Sequence, residues 1–283
     1  MNFLVIGSGA REHIIAQKLS EAGVNVYSIL TNLNPGLIDL SEEYLLVKNY
    51  KANIKSIIDF AILKEIGCVV IGPEDPLALG FSDAFWKKGV PVVGPLMSLA
   101  QIETSKGFTR DLLNKNEIYV SPKYQRFEST SGVEDFISFL SGQYVVKYDG
   151  LMGGKGVKVS GEHLTSVEDC LSYCNELVTK GGSFIIEEKL IGEEFSLMSF
   201  CDGMNVEHMP AVQDHKRAYD GDTGPNTGGM GCYTDFNHSL PFLDESDVNE
   251  AREINERVSS ALRSEFDEGY KGILYGGFMV TGD

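Results

Sequence analysis

The chain has 283 residues, of which 42% are hydrophobic, and its formal net charge is −17. This length exceeds that of a typical single domain, and the hydrophobic content is sufficient for two or three packed units. Because a strong negative charge repels phosphate groups, we expect neither nucleic acid nor an anionic membrane as a partner.

The cysteines and the first residues predict a cytoplasmic protein. The five cysteines are odd in number and scattered, which favours reduced thiols over a disulfide framework. Cys170 and Cys174 share one face of a predicted helix, where we expect core packing and no metal site. Met1 to Gly7 lacks the features of a signal peptide, and no apolar run approaches membrane-spanning length.

Strand-like and helix-like segments alternate over the first hundred residues. This alternation predicts a doubly wound parallel sheet, with a domain boundary near residue 100. The predicted elements are a strand at Phe3 to Ile6, a helix from about Arg11, a strand at Asn25 to Leu30, a helix over Ile54 to Leu63, and strands at Cys68 to Ile71 and Val90 to Val93.

Two turns of this predicted sheet indicate a ligand site. The glycine-containing turn at Gly7 to Glu12 follows the first strand and opens a helix, as a phosphate-binding turn does. Glu12 stands where a dinucleotide fingerprint has glycine, so we expect a phosphate or sugar-phosphate here and no nicotinamide. Glu74 follows another strand and could accept hydrogen bonds from sugar hydroxyls, although a plain strand-to-helix turn explains its surroundings equally well.

The next segment predicts a smaller unit that covers phosphates. A helix from about Ser105 carries Lys106, and a strand at Tyr144 to Tyr148 carries Lys147. The glycine-rich turn Gly150 to Gly156, with Lys155, leads into a second strand at Val157 to Val159. A flexible loop between two strands is typical of a phosphate-covering hairpin, and it differs from a Walker loop, which precedes a helix.

A buried strand that ends in carboxylates follows. Ser183 to Ile186 leads into Glu187 and Glu188, and a further strand runs through Cys201. This pattern indicates a nucleotide-binding crossover, in which backbone groups bind adenine and a carboxylate binds ribose. The alternative is a charged strand end that faces water.

The block Gln213 to Gly231 combines charged residues with a glycine-rich loop. Such a loop cannot form a core, so its backbone N–H groups are expected to lie close to an anionic ligand. Asp214, Lys216 and Arg217 could hold charged substrates beside it. The alternative is a solvated surface loop. We assign no chemistry to the predicted helix Ser246 to Phe266 or to the strand Gly272 to Val280.

Taken together, the ordered motifs LVIGSGAREH, VVIGPEDPLALG, VVKYDGLMGGKGV, IIEEKLIGEEFS and QDHKRAYDGDTGPNTGGMG resemble the phosphoribosylamine-glycine ligase family of the ATP-grasp superfamily. The resemblance implies an α/β fold with an amino-terminal doubly wound parallel sheet and an incomplete ATP-grasp fold. The implied domains are a Rossmann-like domain at 1–100 and an ATP-grasp domain at 101–283, with a lid subdomain at 120–190.

The resemblance also implies a reaction. Glycine is activated by ATP to glycyl phosphate, which reacts with 5-phosphoribosylamine to give glycinamide ribonucleotide, ADP and phosphate, in purine biosynthesis with Mg²⁺. The implied catalytic residues are Asp214, Lys216 and Arg217. The implied ATP-binding residues are Lys106, Lys147, Gly153, Gly154, Lys155, Gly156, Glu187, Glu188, Leu190 and Glu194. The implied substrate-binding residues are Gly9, Glu74, Asp222, Thr223, Pro225, Asn226, Thr227, Gly228 and Gly229.

The family's magnesium-binding strand and a further domain lie beyond the position of Asp283, so no metal ligand is expected within the chain. We therefore expect little turnover from this chain alone, and a partner polypeptide that supplies the missing carboxy-terminal part is one way to restore it. The alternatives are a non-catalytic nucleotide- or sugar-phosphate-binding remnant of the same fold, and an ATP-grasp ligase that acts on a different acid.

Overall fold

The computed structural model describes residues 1–151, 156–221 and 223–282. These residues form two compact units. The first unit contains Met1–Gln101, Cys201–Met204 and Phe266–Ile273, and the second contains Ile102–Phe200, Asn205–Glu265 and the residues from Leu274 on. Within the described ranges, no helix is both long enough and apolar enough to cross a membrane.

Strands and helices alternate through most of the chain. In chain order the elements are β1 (Asn2–Ile6), α1 (Ala10–Glu21), β2 (Asn25–Leu30), α2 (Pro35–Leu40), β3 (Glu43–Leu46), α3 (Ile54–Leu63), β4 (Cys68–Ile71), α4 (Glu74–Ala78), α5 (Phe81–Trp86), β5 (Val92–Val93), α6 (Gln101–Thr104), α7 (Lys106–Lys115), β6 (Tyr124–Phe127), α8 (Val133–Phe139), β7 (Tyr144–Tyr148), β8 (Val157–Val159), α9 (Val167–Thr179), β9 (Phe184–Glu188), β10 (Gly192–Asp202), β11 (Val206–Tyr219), β12 (Thr223–Tyr233), α10 (Glu245–Phe266) and β13 (Lys271–Thr281).

The first unit is built on a parallel five-stranded sheet in the order β3-β2-β1-β4-β5. The central strand β1 is buried on both faces, since Leu4, Val5 and Ile6 are all 0% exposed. Ile6 packs in one apolar cluster and Val5 in another, as expected for a sheet covered by helices on both faces. The predicted doubly wound sheet is confirmed.

Two local features of this unit differ from the prediction. The strand predicted at Val90 to Val93 is confined to β5, because the Val90 N–H bonds back to Phe85 O at the end of α5 and Pro91 has no N–H. The sequence interpretation also missed α2. Its signal was present, since Asn34 caps the helix through a bond from Leu37 N–H and Pro35 occupies the first helical position.

The second unit contains an antiparallel four-stranded sheet in the order β6-β9-β7-β8. The predicted hairpin of β7 and β8 is confirmed, with Lys147 opposite Val157. Helices α8 and α9 contribute to one apolar cluster with the sheet. Cys170 and Cys174 of α9 lie in this cluster and are 0% exposed, so the prediction that they pack in a core is confirmed.

A further four-stranded sheet has the order β12-β11-β10-β13, in which β11 and β12 are antiparallel. Phe195 and Leu197 of β10 pack with Ala211 of β11 and Ala251 of α10 beneath it. The block predicted as a glycine-rich loop at Gln213 to Gly231 is instead the hairpin of β11 and β12. The interpretation as a loop was wrong because backbone pairing, which needs no apolar side chain, orders this segment.

Candidate functional site

In the second unit, α7 and the sheet bring three cations around one buried carboxylate. We call Lys106, Arg110 and Lys147 the cation cluster. Lys147 on β7 and Glu187 on β9 are diagonal neighbours, since Val145 pairs with Glu187 and Lys147 with Ile185. Such neighbours lie on the same face of the sheet. Lys106 and Arg110 are one helical turn apart on α7, so they share a helix face.

Glu187 is bonded to two members of the cation cluster. Its side chain is 2% exposed and accepts from Arg110 Nε at 2.6 Å and from Lys147 Nζ at 2.5 Å. Burial raises the pKa of this carboxyl, but the charges of Lys147 and Arg110 outweigh burial and leave the pKa below its ordinary value. Glu187 is therefore ionised at neutral pH, and it does not face water as the alternative interpretation required.

Lys106 differs from the other two cations of the cluster, because its described bond goes to a backbone carbonyl and theirs go to the Glu187 carboxylate. Its ammonium donates to Gly150 O at 3.3 Å. Burial, and then the positive charge of Lys147, lower its pKa below that of an exposed lysine. An added anion would stabilise the charged form of this buried ammonium, so the cluster can accept a phosphate group.

The predicted adenine-binding residues Glu188 and Leu190 lie at the end of β9 and just after it. The Glu188 N–H donates to Lys123 O at 2.8 Å, and the Glu188 carboxylate lies 3.7 Å from Lys123 Nζ. Leu190 is 36% exposed. Gly156 lies next to the cluster's strand and accepts from the Tyr148 N–H at 2.8 Å. Their predicted roles toward ATP stay predictions, and the predicted residues Gly153, Gly154 and Lys155 lie outside the described residues.

On the β11–β12 hairpin, the two predicted catalytic cations are paired with carboxylates. Lys216 Nζ lies 2.6 Å from Glu194 Oε1 and 4.0 Å from Asp214 Oδ2. Burial lowers the pKa of Lys216, but Glu194 outweighs burial and raises it overall. Arg217 donates to Glu162 at 3.0 Å and to Gly224 O at 2.8 Å. The structure thus brings Asp214, Lys216 and Glu194 together.

The predicted substrate-binding residues of this hairpin lie along β12. Thr227 Oγ1 donates to Lys216 O at 2.9 Å and accepts from the Gly229 N–H at 3.1 Å, which fixes the strand beside Lys216. The exposed members of the group are Thr223, Pro225, Asn226, Thr227, Gly228 and Gly229. Asp222 lies outside the described residues. These β12 residues are open to solvent, so a ligand would reach them from the solvent-exposed side of the hairpin.

In the first unit, a side chain of the protein occupies the predicted anion-binding turn. The Gly9 N–H at the start of α1 donates to Glu12 Oε2 at 2.7 Å. Glu12 is 3% exposed, and its other oxygen accepts from Arg11 Nε at 2.8 Å. Arg11 also lies 3.6 Å from Glu74. The predicted contacts of Gly9 and Glu74 with a sugar-phosphate stay predictions, and Arg11 is the cation that the sequence interpretation missed here.

Glycine at position 72 is expected to be essential for the Glu12 arrangement. A Cβ at Gly72 would lie 2.0 Å from Glu12 Oε1, so Gly72→Ala must displace the carboxylate from Gly9. We expect Gly72→Ala to lower the free energy of unfolding by about 2 kcal/mol, measured by urea denaturation. Gly231→Ala is the control, because a Cβ there meets no atom within 4 Å. Equal stability of the two variants would contradict this arrangement.

Two further residues of the second unit were missed by the sequence interpretation. Arg110 is 77 positions from Glu187, and only its spacing from Lys106 could have indicated it. Asp149 has a side chain that is 2% exposed, and it bonds to the start of α7. Within the part of the chain that the structure describes, no group of three or more His, Cys, Asp or Glu residues could hold a metal ion.

Comparisons with known proteins agree on one family. The family described as phosphoribosylglycinamide synthetase, N domain, matches residues 1–103, and its ATP-grasp (A) domain matches residues 104–283. A phosphoribosylamine–glycine ligase of Methanosarcina barkeri is 45% identical over 99% of this chain and 64% of its own length. One of Methanococcus vannielii is 46% identical over 100% of this chain and 65% of its own length.

Solved structures show the same relationship. The crystal structure of phosphoribosylamine–glycine ligase from Thermotoga maritima has a TM-score of 0.78 and 28% identity, covering 100% of this chain and 66% of that one. An ADP complex of N5-carboxyaminoimidazole ribonucleotide synthetase, at 14% identity and a TM-score of 0.72, shares the fold. The chain thus spans about two thirds of the length of the relatives that it matches.

Proposed function

This chain belongs to the phosphoribosylglycinamide synthetase family, and on that premise we propose that it serves the ATP-dependent ligation of glycine to 5-phosphoribosylamine. The products would be glycinamide ribonucleotide, ADP and phosphate. The predicted ATP-grasp fold is confirmed by the family match and the solved relatives. Because the chain covers 64% of the Methanosarcina barkeri relative, the complete reaction is proposed for this chain together with the remaining third of such a protein.

The cation cluster is the observation that carries the proposal. Arg110 and Lys147 are bonded to one ionised carboxylate, and the pKa of the neighbouring Lys106 is lowered by burial and by the charge of Lys147. A triphosphate supplies the negative charge that this arrangement needs. Phosphoryl transfer depends mainly on positioning and charge stabilisation, so such a cluster can hold ATP while glycine attacks its terminal phosphate.

The hairpin residues are proposed to receive the other substrates. Lys216 and Arg217 would exchange their carboxylate partners, Glu194 and Glu162, for the carboxylate of glycine or for acyl phosphate oxygens. Such an exchange would leave Glu194 available to accept a hydrogen bond from a hydroxyl of ATP, for which the resemblance implies it. Asp214, near Lys216, would hold the ammonium of glycine.

Magnesium is the metal that the resemblance implies. In the described ranges no cluster of three carboxylate, imidazole or thiol side chains is formed, and Mg²⁺ in proteins is usually held by only one or two carboxylates together with water and substrate phosphates. The use of Mg²⁺ stays a prediction. The domain limits, the cytoplasmic location and a second polypeptide stay predictions.

The deciding experiment measures ADP release. The chain is supplied with ATP, magnesium, glycine and 5-phosphoribosylamine, with and without a polypeptide that corresponds to the remaining third of the relatives. Glycine-dependent turnover only with this supplement is the expected result. ATP binding with no turnover in either case would favour a non-catalytic binding protein. Turnover with another amino acid in place of glycine would indicate a different ligase of the superfamily.

Lys147→Met should weaken ATP binding by at least about tenfold, because one charge-assisted phosphate contact is lost. Isothermal titration calorimetry measures this change. Lys180→Met is the matched control, since Lys180 is exposed and pairs only with Glu176 of its own helix among the ion pairs described. Unchanged affinity in Lys147→Met would remove the cluster from the ATP site.

A further inference from the structure

Asp149 is a buried carboxylate to which the family comparison assigns nothing. It directly follows β7, and its N–H donates to Ser183 O at 3.0 Å, which fixes its backbone. Its side chain is 2% exposed. A charge removed from water at such a position is costly unless it is bonded on most sides, so its partners define its role.

The partners of Asp149 lie at the start of α7. Its Oδ1 accepts from Ser105 Oγ at 2.9 Å and from the Gly107 N–H at 3.1 Å. Its Oδ2 lies 3.3 Å from Arg126 of β6. A helix start carries unpaired N–H groups and a partial positive charge, both of which a carboxylate compensates. The carboxylate thus ties the sheet to the first turn of α7.

Lys106 lies between the two residues that Asp149 binds. Its own ammonium donates to Gly150 O, on the residue that follows Asp149. Two consecutive residues therefore hold both the backbone around Lys106 and the tip of its side chain. These bonds leave Lys106 little freedom to turn away from Lys147, despite the repulsion between the two ammonium groups.

The approach of Asp149 to α7 requires glycine at position 107. A Cβ there would lie 2.7 Å from Asp149 Oδ2 and 3.1 Å from Arg126 Cδ. Any larger residue would separate the carboxylate from the helix start. The close approach therefore depends on side-chain size at Gly107 as well as on charge.

We propose that Asp149 is a positioning residue, which holds Lys106 beside Lys147 so that both ammonium groups meet the phosphates of one nucleotide. The proposal rests on the proposed function in one respect, namely that ATP is the ligand. Asp149 acts through the Ser105 hydroxyl and the Gly107 N–H, which flank Lys106, and not through contact with the substrate.

The first test compares ATP with adenosine. In Asp149→Asn, the dissociation constant of ATP should rise about tenfold, while that of adenosine should stay within about twofold of the original. A general loss of structure would weaken both ligands equally, and that result would overturn the proposal. Unchanged ATP affinity in the folded variant would overturn it as well.

The second test needs no nucleotide. NMR titration of ¹³C-labelled lysine follows the pKa of Lys106 in Asp149→Asn. If Lys106 is released to water, its pKa rises, because burial and the charge of Lys147 no longer act on it. If Lys106 stays in place, its pKa falls further, because the negative charge of Asp149, which raises it, is gone. A fall would therefore contradict the positioning role.

Two more variants complete the design. Asp111→Asn removes an α7 carboxylate that only Tyr124, at 3.0 Å, is seen to approach in the described hydrogen bonds, and it should change neither readout. Ser105→Ala removes one donor to Asp149. It should shift the ATP dissociation constant and the pKa of Lys106 in the same directions as Asp149→Asn, but by less. This variant provides the test if Asp149→Asn does not fold. If the unmodified chain binds no ATP, the proposed function fails, and the Lys106 titration alone decides the role of Asp149.

Discussion

Glu187→Gln is expected to lower the free energy of unfolding by about 3 kcal/mol at neutral pH, because it leaves two cations without their shared carboxylate in a buried site. Arg110 and Lys147 are only 21% and 27% exposed, so water compensates them poorly. ATP binding should weaken as well, since the two cations then repel each other. Urea denaturation followed by circular dichroism measures the loss of stability.

Glu188→Gln is the matched control for this change. The two glutamates are adjacent, but the Glu188 side chain is 35% exposed and its carboxylate pairs only with Lys123, at 3.7 Å, among the ion pairs described. Its loss should cost less than about 1 kcal/mol. A similar loss in both variants would show that burial of the Glu187 ion pairs does not determine stability here.

The effect of Glu187→Gln should also depend on pH. The folded-state pKa of Glu187 lies below its ordinary value of 4.5, so its contribution is fully present above that value. The contribution is lost as the pH falls through the lowered folded-state pKa. The original chain and Glu187→Gln should therefore differ most at neutral pH and converge in acid. A difference that grows in acid would contradict the assigned charge state.

Phe184→Ala is expected to cost about 4 kcal/mol of stability in the second unit. Phe184 is 0% exposed and stacks on Phe127 with ring centroids 5.4 Å apart. It lies on β9, three residues before Glu187, so its loss loosens the strand that carries the carboxylate. Hydrogen exchange of the β7 and β9 amides should accelerate with the loss of stability.

Phe139→Ala provides the comparison for a phenylalanine of the same unit. Its side chain lies at the end of α8 and is 66% exposed. Its removal should cost less than about 1 kcal/mol, because little apolar surface returns to water. If the two variants proved equally stable, Phe184 would not be part of the core that supports the cation cluster.

Much of the fold is readable from local sequence patterns. The runs at β1, β2 and β4 are apolar and short, and each is followed by a turn and a helix, as a parallel sheet requires. Strand β7 and its lysine were likewise predicted at the observed limits. These elements are determined by residues that are close together in the chain.

Local sequence patterns did not predict the β11–β12 hairpin or the buried ion pairs. Strand β12 contains four polar or proline positions and four glycines without apolar alternation, so its sequence indicates a loop although its backbone pairs with β11. Glu187 and Arg110 are 77 positions apart, and Asp149 and Gly107 are 42 apart. Only the tertiary fold brings the residues of each pair together, so the periodicity of the sequence cannot predict these contacts.

The positions of the cysteines have a kinetic consequence. Cys232 is exposed and should react with a thiol reagent at once, whereas Cys170 and Cys174 are shielded in the apolar cluster of the second unit. Their modification requires an opening of that cluster, so its rate reports how often the cluster opens. The modification rate of Cys170 and Cys174 therefore measures local opening in the region that holds Lys147 and Glu187.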